Sequence, residues 1–198
     1  TVASSGITYG DASVQTTAPS GFGFKNRIMN GDMRIDQRNA GATVALFNGS
    51  AYAVDRFWAY KETAGAAGTV QRSTSAPTGF TNSLYVNITT GASARVSEQN
   101  MIQHAIEGYN VADLGWGTSS AQPITISFWV KGSMVGTYGF GVSNNAGNRC
   151  YVAAYTIAVA NTWERKTVTI AGDTTGTWLT DSGLGIRIRF DYGSGSNY

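Results

Sequence analysis

The segment that most constrains the fold runs from Gln122 to Tyr138 and alternates between apolar and polar residues. Its apolar residues fall on one side of an extended chain: Ile124, Ile126, Phe128 and Val130. This alternation is typical of a half-buried antiparallel strand. Trp129 interrupts the polar side, and a large aromatic there predicts contact with a loop, a partner or a ligand.

Short segments of this kind recur along the chain with turn residues between them. They are 55–60, 83–88, 94–99, 101–107, 124–131, 137–143, 149–159, 163–170 and 184–192. Only 111–114 is typical of a helical turn, because no other segment shows an apolar stripe of helical period. Strands at this spacing predict an all-β fold, a sandwich or barrel of about eight to ten strands.

The first 25 residues differ from the rest of the chain. One short extended patch near Ile7 precedes a run of Thr, Ala, Ser, Pro and Gly, which is typical of a stem or linker. The pattern changes at Asn26, and Asn30-Gly31 indicates a turn between apolar residues. We therefore predict a stem over 1–25 and one domain over 26–198, together a piece of a longer polypeptide.

Composition narrows the possible partners. The net charge is +2 and the basic residues are scattered, so we expect no nucleic-acid partner. No apolar run approaches the roughly 18 residues that a membrane-spanning helix needs, so we expect no membrane insertion. Cys150 is the only cysteine, which excludes an intramolecular disulfide and predicts a small buried hydrophobic residue.

Catalytic machinery is not recognisable in the sequence. His104, the single histidine, lies in register with Ile102 and Ile106, which predicts a hydrogen-bonded side chain facing inward. The 12 acidic residues form no recognisable glycosidase pair. We therefore expect a protein that is not an enzyme.

Two late strands suggest different surfaces. The strand at 184–192 places Arg187, Arg189 and Asp191 on a charged face opposite its apolar residues. The strand at 149–159 is apolar on both faces, which predicts a central position or a subunit contact.

Aromatic residues beside polar groups can stack on sugar rings and bond sugar hydroxyls. Packing in the core or at an edge is the alternative for each of them singly. The candidate ligand-binding residues are Trp116, Trp129, Tyr138, Tyr151, Tyr155, Trp178, Arg187 and Arg189.

Five segments in order resemble bacteriophage tail-fibre and related virion proteins. They are NGDMRIDQRNAG (30–41), AVDRFWAY (53–60), QHAIEG (103–108), ITISFWVKGS (124–133) and NTWERKTVTIAGDTTGTW (161–178). Together they cover most of residues 26–192. The leading ITYGDASVQTTAP (7–19) is similar to the segment that joins a fibrous shaft to a distal domain.

The resemblance implies a jelly-roll β-sandwich similar to carbohydrate-binding modules. Its final closing strand would be missing here or supplied by a neighbouring chain. The resemblance also implies a homotrimer, located on a virion tail fibre or other surface appendage, that contacts other virion proteins. Related modules hold a structural calcium near the opening turn, where Asp32 is the matching carboxylate.

The function expected from these features is adhesion to a host cell-surface glycan without catalysis. A purely structural fibre-knob or head-decoration module is the alternative. A polysaccharide depolymerase is a third, less favoured reading.

Overall fold

The computed structural model describes residues 25–46, 48–62, 66–91 and 96–194, and the backbone of 7–8 and 14–15. Its strands are β1 (Ile7–Thr8), β2 (Val14–Gln15), β3 (Val44–Ala45), β4 (Gly49–Val54), β5 (Phe57–Lys61), β6 (Ala67–Ser73), β7 (Ser83–Thr90), β8 (Asn100–Glu107), β9 (Ile124–Val130), β10 (Gly136–Ser143), β11 (Cys150–Ile157), β12 (Glu164–Ile170) and β13 (Leu184–Asp191). Within these ranges the helices are two 3-10 turns, η1 (Gly108–Asn110) and η2 (Ala112–Leu114). None of the helices in these ranges has the length and apolar character needed to span a membrane.

The largest sheet has six antiparallel strands in the order β11-β10-β13-β8-β5-β4. One of its faces is apolar, because Phe57, Ile102, Ile188 and Phe140 alternate inward on neighbouring strands. The strands come from distant parts of the chain, so the sheet assembles through long-range contacts.

Two smaller sheets, β12-β9 and β3-β6-β7, form the second layer. Phe128 of β9 packs on the inner face of the large sheet, with its ring centroid 4.9 Å from that of Phe190 and 5.8 Å from that of Phe140. Val70 of β6 is fully buried in a second cluster with Phe57. The protein is therefore an all-β sandwich, as predicted, while jelly-roll connectivity stays a prediction.

Several predicted elements are confirmed and others are wrong. The helical turn at 111–114 is present as η2, and β9 and β13 lie where alternation predicts them. The predicted strand at 94–99 is not a strand over its described residues, 96–99. Strands β4 and β6 were not predicted, because their Gly, Ala, Ser and Thr residues give little hydrophobic contrast between faces.

Strand β11 corrects two expectations. It lies at an edge of the six-stranded sheet, so the central alternative is wrong and the subunit contact stays a prediction. Its outer residues are exposed, because nothing covers them among the described residues. Val152 is 70% exposed. Cys150 is exposed as well, so it is not the buried hydrophobic residue that its chemistry suggests.

The stem prediction concerns residues that lie mostly outside the described ranges. Within 1–25 the structure describes Lys25 and the backbone of β1 and β2, which pair antiparallel. The domain boundary at residue 26 stays a prediction.

Candidate functional site: the outer face of the six-stranded sheet

Strand register places one row of side chains across the solvent side of the large sheet, which we call the outer face. Directly paired residues of antiparallel strands point to the same side. From β4 to β11 the row consists of Tyr52, Trp58, Gln103, Arg189, Gly141 and Val152. Aromatic, amide and guanidinium groups therefore lie side by side, opposite the apolar core.

Tyr52 and Trp58 begin this row and line an open groove of about 470 Å³. Their ring centroids are 6.0 Å apart and the rings are tilted by 52°. Tyr52 is 44% exposed and Trp58 is half-buried. We call this feature the aromatic groove, and it also contains Arg38, Asp55, Arg56 and Glu107.

The charged groups of the aromatic groove are held in position by one another. The Arg38 guanidinium carbon lies 4.3 Å from the centre of the Tyr52 ring, and Arg38 Nε is 4.0 Å from Asp55 Oδ1. A second ion pair lines the same groove, with Arg56 Nη1 3.7 Å from Glu107 Oε1. The groove thus offers flat apolar faces together with fixed donors and acceptors.

The loop at 30–41 positions the rim of this groove through its own side chains. Asn30 Nδ2 donates to the carbonyl oxygens of Ile35 and Asp55, each at 2.8 Å, so it ties the loop to the β4–β5 turn. The buried carboxylate of Asp36 accepts from the backbone N–H of Gly41. Because these bonds fix the loop, Arg38 is kept over the Tyr52 ring.

Arg187 and Arg189, which we call the arginine pair, lie farther along the outer face on β13. Arg189 Nε donates to Gln103 Oε1 at 3.4 Å, a long hydrogen bond. Burial lowers the pKa of the Arg187 guanidinium, and the adjacent charge of Arg189 adds to the effect. The arginine pair is therefore a concentration of positive charge on a partly desolvated surface.

Two predicted ligand-binding residues, Trp116 and Trp178, are buried, which agrees with the alternative of packing in the core. They are 7% and 9% exposed, and their rings pack edge to face with centroids 4.6 Å apart. Trp116 Nε1 donates to the carbonyl of Gln122 at 2.7 Å, and Trp178 Nε1 to Asp173 Oδ2 at 3.2 Å. The core takes both indoles because each N–H finds an acceptor.

Three predicted tyrosines alternate onto the inner side of the large sheet. Tyr138 and Tyr155 stack with centroids 5.8 Å apart, and Tyr155 also packs edge to face on Phe128. Burial raises the pKa of Tyr155 to about 12, with smaller contributions from Asp191 and Tyr138. Tyr151 lies on the same side of β11 but is 40% exposed.

Trp129 lies on the outside of the second layer and is 40% exposed. It pairs across the strands with Arg165 of β12. The predicted residues are thus divided among separate surfaces and the core, and only Arg187 and Arg189 belong to the outer face. Tyr52 and Trp58 are not among the predicted residues, because pairing between strands is not local in sequence.

The residues tested for catalysis and metal binding have simple environments. His104 is 1% exposed, and its Nδ1 lies 3.1 Å from the Arg56 carbonyl, which confirms the inward-facing prediction. Burial lowers the pKa of His104 to about 4. Asp32 lies 3.8 Å from Arg34 Nε, and no group of three His, Cys, Asp or Glu that could hold a metal occurs in the described ranges.

Comparison with known proteins gave no assignment. No protein-family model matches the chain, and no curated protein matches it at a significant level.

Proposed function

We propose that this chain is a host-recognition domain of a tail fibre or similar virion appendage, and that it binds a cell-surface glycan without catalysis. The observation that carries the proposal is the aromatic groove, where Tyr52 and Trp58 lie open beside charged groups. The segments that resemble phage fibre proteins motivate the virion setting.

The chemistry of the groove suits a saccharide. Aromatic faces pack on the C–H groups of a sugar ring, while fixed polar groups bond its hydroxyls and set its orientation. Here Arg38 lies over the Tyr52 ring and pairs with Asp55, and a second ion pair, Arg56 with Glu107, lines the same groove. Donors and acceptors are both present, as hydroxyl groups require.

A weak site of this kind gains strength from repetition. In the proposed homotrimer, attached to other virion proteins, several copies would face the host together. Linked sites raise the effective concentration of each binding event, so overall avidity exceeds single-site affinity by orders of magnitude, roughly 10²–10⁴.

The decisive experiment is a glycan array probed with the complete chain and with two matched tryptophan variants. We expect Trp58→Ala to reduce binding by about tenfold or more, because Trp58 forms a wall of the groove. Trp129→Ala, which removes an equally large exposed side chain from the other layer, is expected to bind as the unmodified chain does. Loss of binding in Trp129→Ala alone, or particles that adsorb normally while no glycan is bound, would count against the proposal.

Absence of catalysis is tested separately. Capsular polysaccharide incubated with the protein is expected to keep its chain length in size-exclusion chromatography. Shortened polysaccharide chains would contradict the absence of catalysis and favour a depolymerase.

A purely structural module is the second candidate, and strand β11 favours it. Residues 150–157 carry no charge and form an edge of the large sheet, and such edges pair readily with other strands. Val152→Lys would place a charge on this edge. Under the structural reading it should block assembly of particles or trimers, whereas under the glycan reading Trp58→Ala should block adsorption of particles that still assemble.

A further inference from the structure

A small polar cluster lies on the outer face beyond Gln103, where β10 and β13 pair. Ser143 of β10 is directly opposite Arg187 of β13, and Gly141 is directly opposite Arg189. Residues in such positions point to the same side of the sheet. The Ser143 hydroxyl and the arginine pair therefore lie on neighbouring strands on the same side of the sheet, with Ser143 beneath the surface.

Two atoms of this cluster are buried without a hydrogen-bond partner. They are Ser143 Oγ and Arg187 Nε, and Ser143 is 1% exposed. Buried polar atoms in folded proteins almost always have a partner, since leaving one without a partner is costly. The two atoms belong to directly paired residues, and each keeps hydrogen-bonding capacity that no other group of the described chain uses.

The charge of the cluster indicates which kind of group would use this capacity. No ion pair within 4.0 Å joins Arg187 or Arg189 to a carboxylate in the described part of the chain, although Arg27, Arg38, Arg56 and Arg149 all have such partners. Two neighbouring guanidinium groups repel each other, and an anion between them removes that cost. A guanidinium and a hydroxyl together match the oxygens of a carboxylate, sulfate or phosphate.

The strand next to Arg189 carries no side chain at the directly opposite position, because that residue is Gly141. A Cβ there would meet the Tyr151 carbonyl oxygen at 3.7 Å and Arg189 Cβ at 4.0 Å, which are ordinary van der Waals contacts. Gln103 lies between Arg189 and Trp58 in the same row. Neighbouring strands are roughly 4.8 Å apart, so the arginine pair lies about 10 Å from the aromatic groove.

We propose that Ser143, Arg187 and Arg189 form an anion-binding subsite that takes the negatively charged group of an acidic saccharide whose neighbouring ring lies in the aromatic groove. This inference rests on the proposed glycan function and adds the class of ligand. The bound anion accepts hydrogen bonds from the two guanidinium groups and from the Ser143 hydroxyl. The host glycan is therefore acidic, with a uronic-acid or sialic-acid carboxylate, a sulfate or a phosphate as the recognised group.

The test uses the complete chain and three probes. They are an oligogalacturonate, the same oligosaccharide with its carboxylates methyl-esterified, and inorganic sulfate. We expect the acidic oligosaccharide to bind at least about tenfold more tightly than its ester, and sulfate to shift the backbone amide signals of Gly141 and Ser143 in NMR spectra. An array of sialylated, sulfated and phosphorylated glycans then separates the possible sources of the charge.

The variants assign this preference to residues. Arg187→Gln and Ser143→Ala are each expected to reduce the preference for the acidic oligosaccharide, and Arg187→Gln with Arg189→Gln to abolish it. Arg165→Gln on the exposed side of β12 removes an equal charge from the other layer and is expected to leave the preference intact. Unchanged midpoints of urea unfolding show that each variant is folded.

The outcomes separate this inference from the proposed function. Binding of neutral saccharides that depends on Trp58, with no response to sulfate and no acidic preference, overturns the subsite alone. Sulfate binding without any saccharide binding overturns both the saccharide assignment and the proposed function. An acidic preference that persists in the double arginine variant also overturns the subsite.

Discussion

Two pairs of aromatic residues in this protein have opposite environments. Trp116 and Trp178 come from Gly-containing loops and are buried edge to face in the core. Tyr52 and Trp58 come from regular strands, yet they lie on the outer face beside a groove. The difference lies in what each ring contacts: the loop indoles donate to Gln122 and Asp173, whereas the strand rings follow the alternation of the sheet to its solvent side.

The largest difference in stability is expected between two variants that each remove one ring, Trp178→Ala from the buried pair and Trp58→Ala from the outer face. Trp178→Ala leaves a large cavity and is expected to lower the free energy of unfolding by about 3–5 kcal/mol. Trp58→Ala is expected to cost about 1 kcal/mol or less, since its ring is already partly in water. Urea unfolding monitored by far-ultraviolet circular dichroism measures both values. Equal losses would show that the two pairs do not differ in burial as described.

A second effect concerns His104, which lies next to Gln103 on β8 and is buried on the opposite, inner side of the sheet. Its pKa is lowered from 6.5 to about 4, so the folded state resists protonation. The stability that the neutral ring confers is complete above pH 6.5 and is lost as the pH falls toward 4. From the pKa difference we expect a loss of about 3 kcal/mol between pH 7 and pH 4.

The control for this pH dependence is His104→Gln, which has no titration in this range. The variant should lose about 3 kcal/mol less than the unmodified chain between the same two pH values. The same loss of unfolding free energy between pH 7 and pH 4 in both chains would contradict a buried neutral histidine.

The smallest effect compares two carboxylates: Asp173, which bonds the buried Trp178, and Glu107, which lines the aromatic groove. Arg149 donates to both oxygens of Asp173, each at 2.7 Å, and Asp173 also accepts from Trp178. Asp173→Asn is therefore expected to cost about 1 kcal/mol in the free energy of unfolding. Glu107→Gln in the open groove is expected to change it by less than about 0.5 kcal/mol, because its pair with Arg56 is exposed.

The contribution of Asp173 to stability should not change over the pH range in which His104 titrates. The hydrogen bonds from Arg149 hold the pKa of the Asp173 carboxyl well below its usual range. Its stabilising contribution is present above the ordinary aspartate pKa and persists at pH 4, where His104 has begun to titrate. A loss of the Asp173 contribution already at pH 5 would contradict the hydrogen bonds described.

The fold could be predicted from sequence where large apolar residues alternate strictly. Strands β9 and β13 meet this condition, so the sandwich class followed from them. Strand β4, GSAYAV, does not, because Gly, Ser and Ala give little contrast between the two faces. Without β4 the pairing of Tyr52 with Trp58 could not be foreseen.

The candidate site was predictable only in its charged part. Arg187 and Arg189 stand out because they interrupt an apolar strand at every second residue. Trp178 was predicted as a ligand-binding residue, but its indole packs on Trp116 and donates to Asp173, which Arg149 also bonds, and only the folded chain brings these groups together.

The exposed position of Cys150 has a practical consequence for studying the outer face. It is directly opposite Ser143, which is in turn directly opposite Arg187, so the single thiol lies two strands from the arginine pair. A thiol-reactive fluorophore can therefore be attached at this one position without an engineered cysteine. Its emission can then report, in real time, the arrival of a charged group at the neighbouring strands.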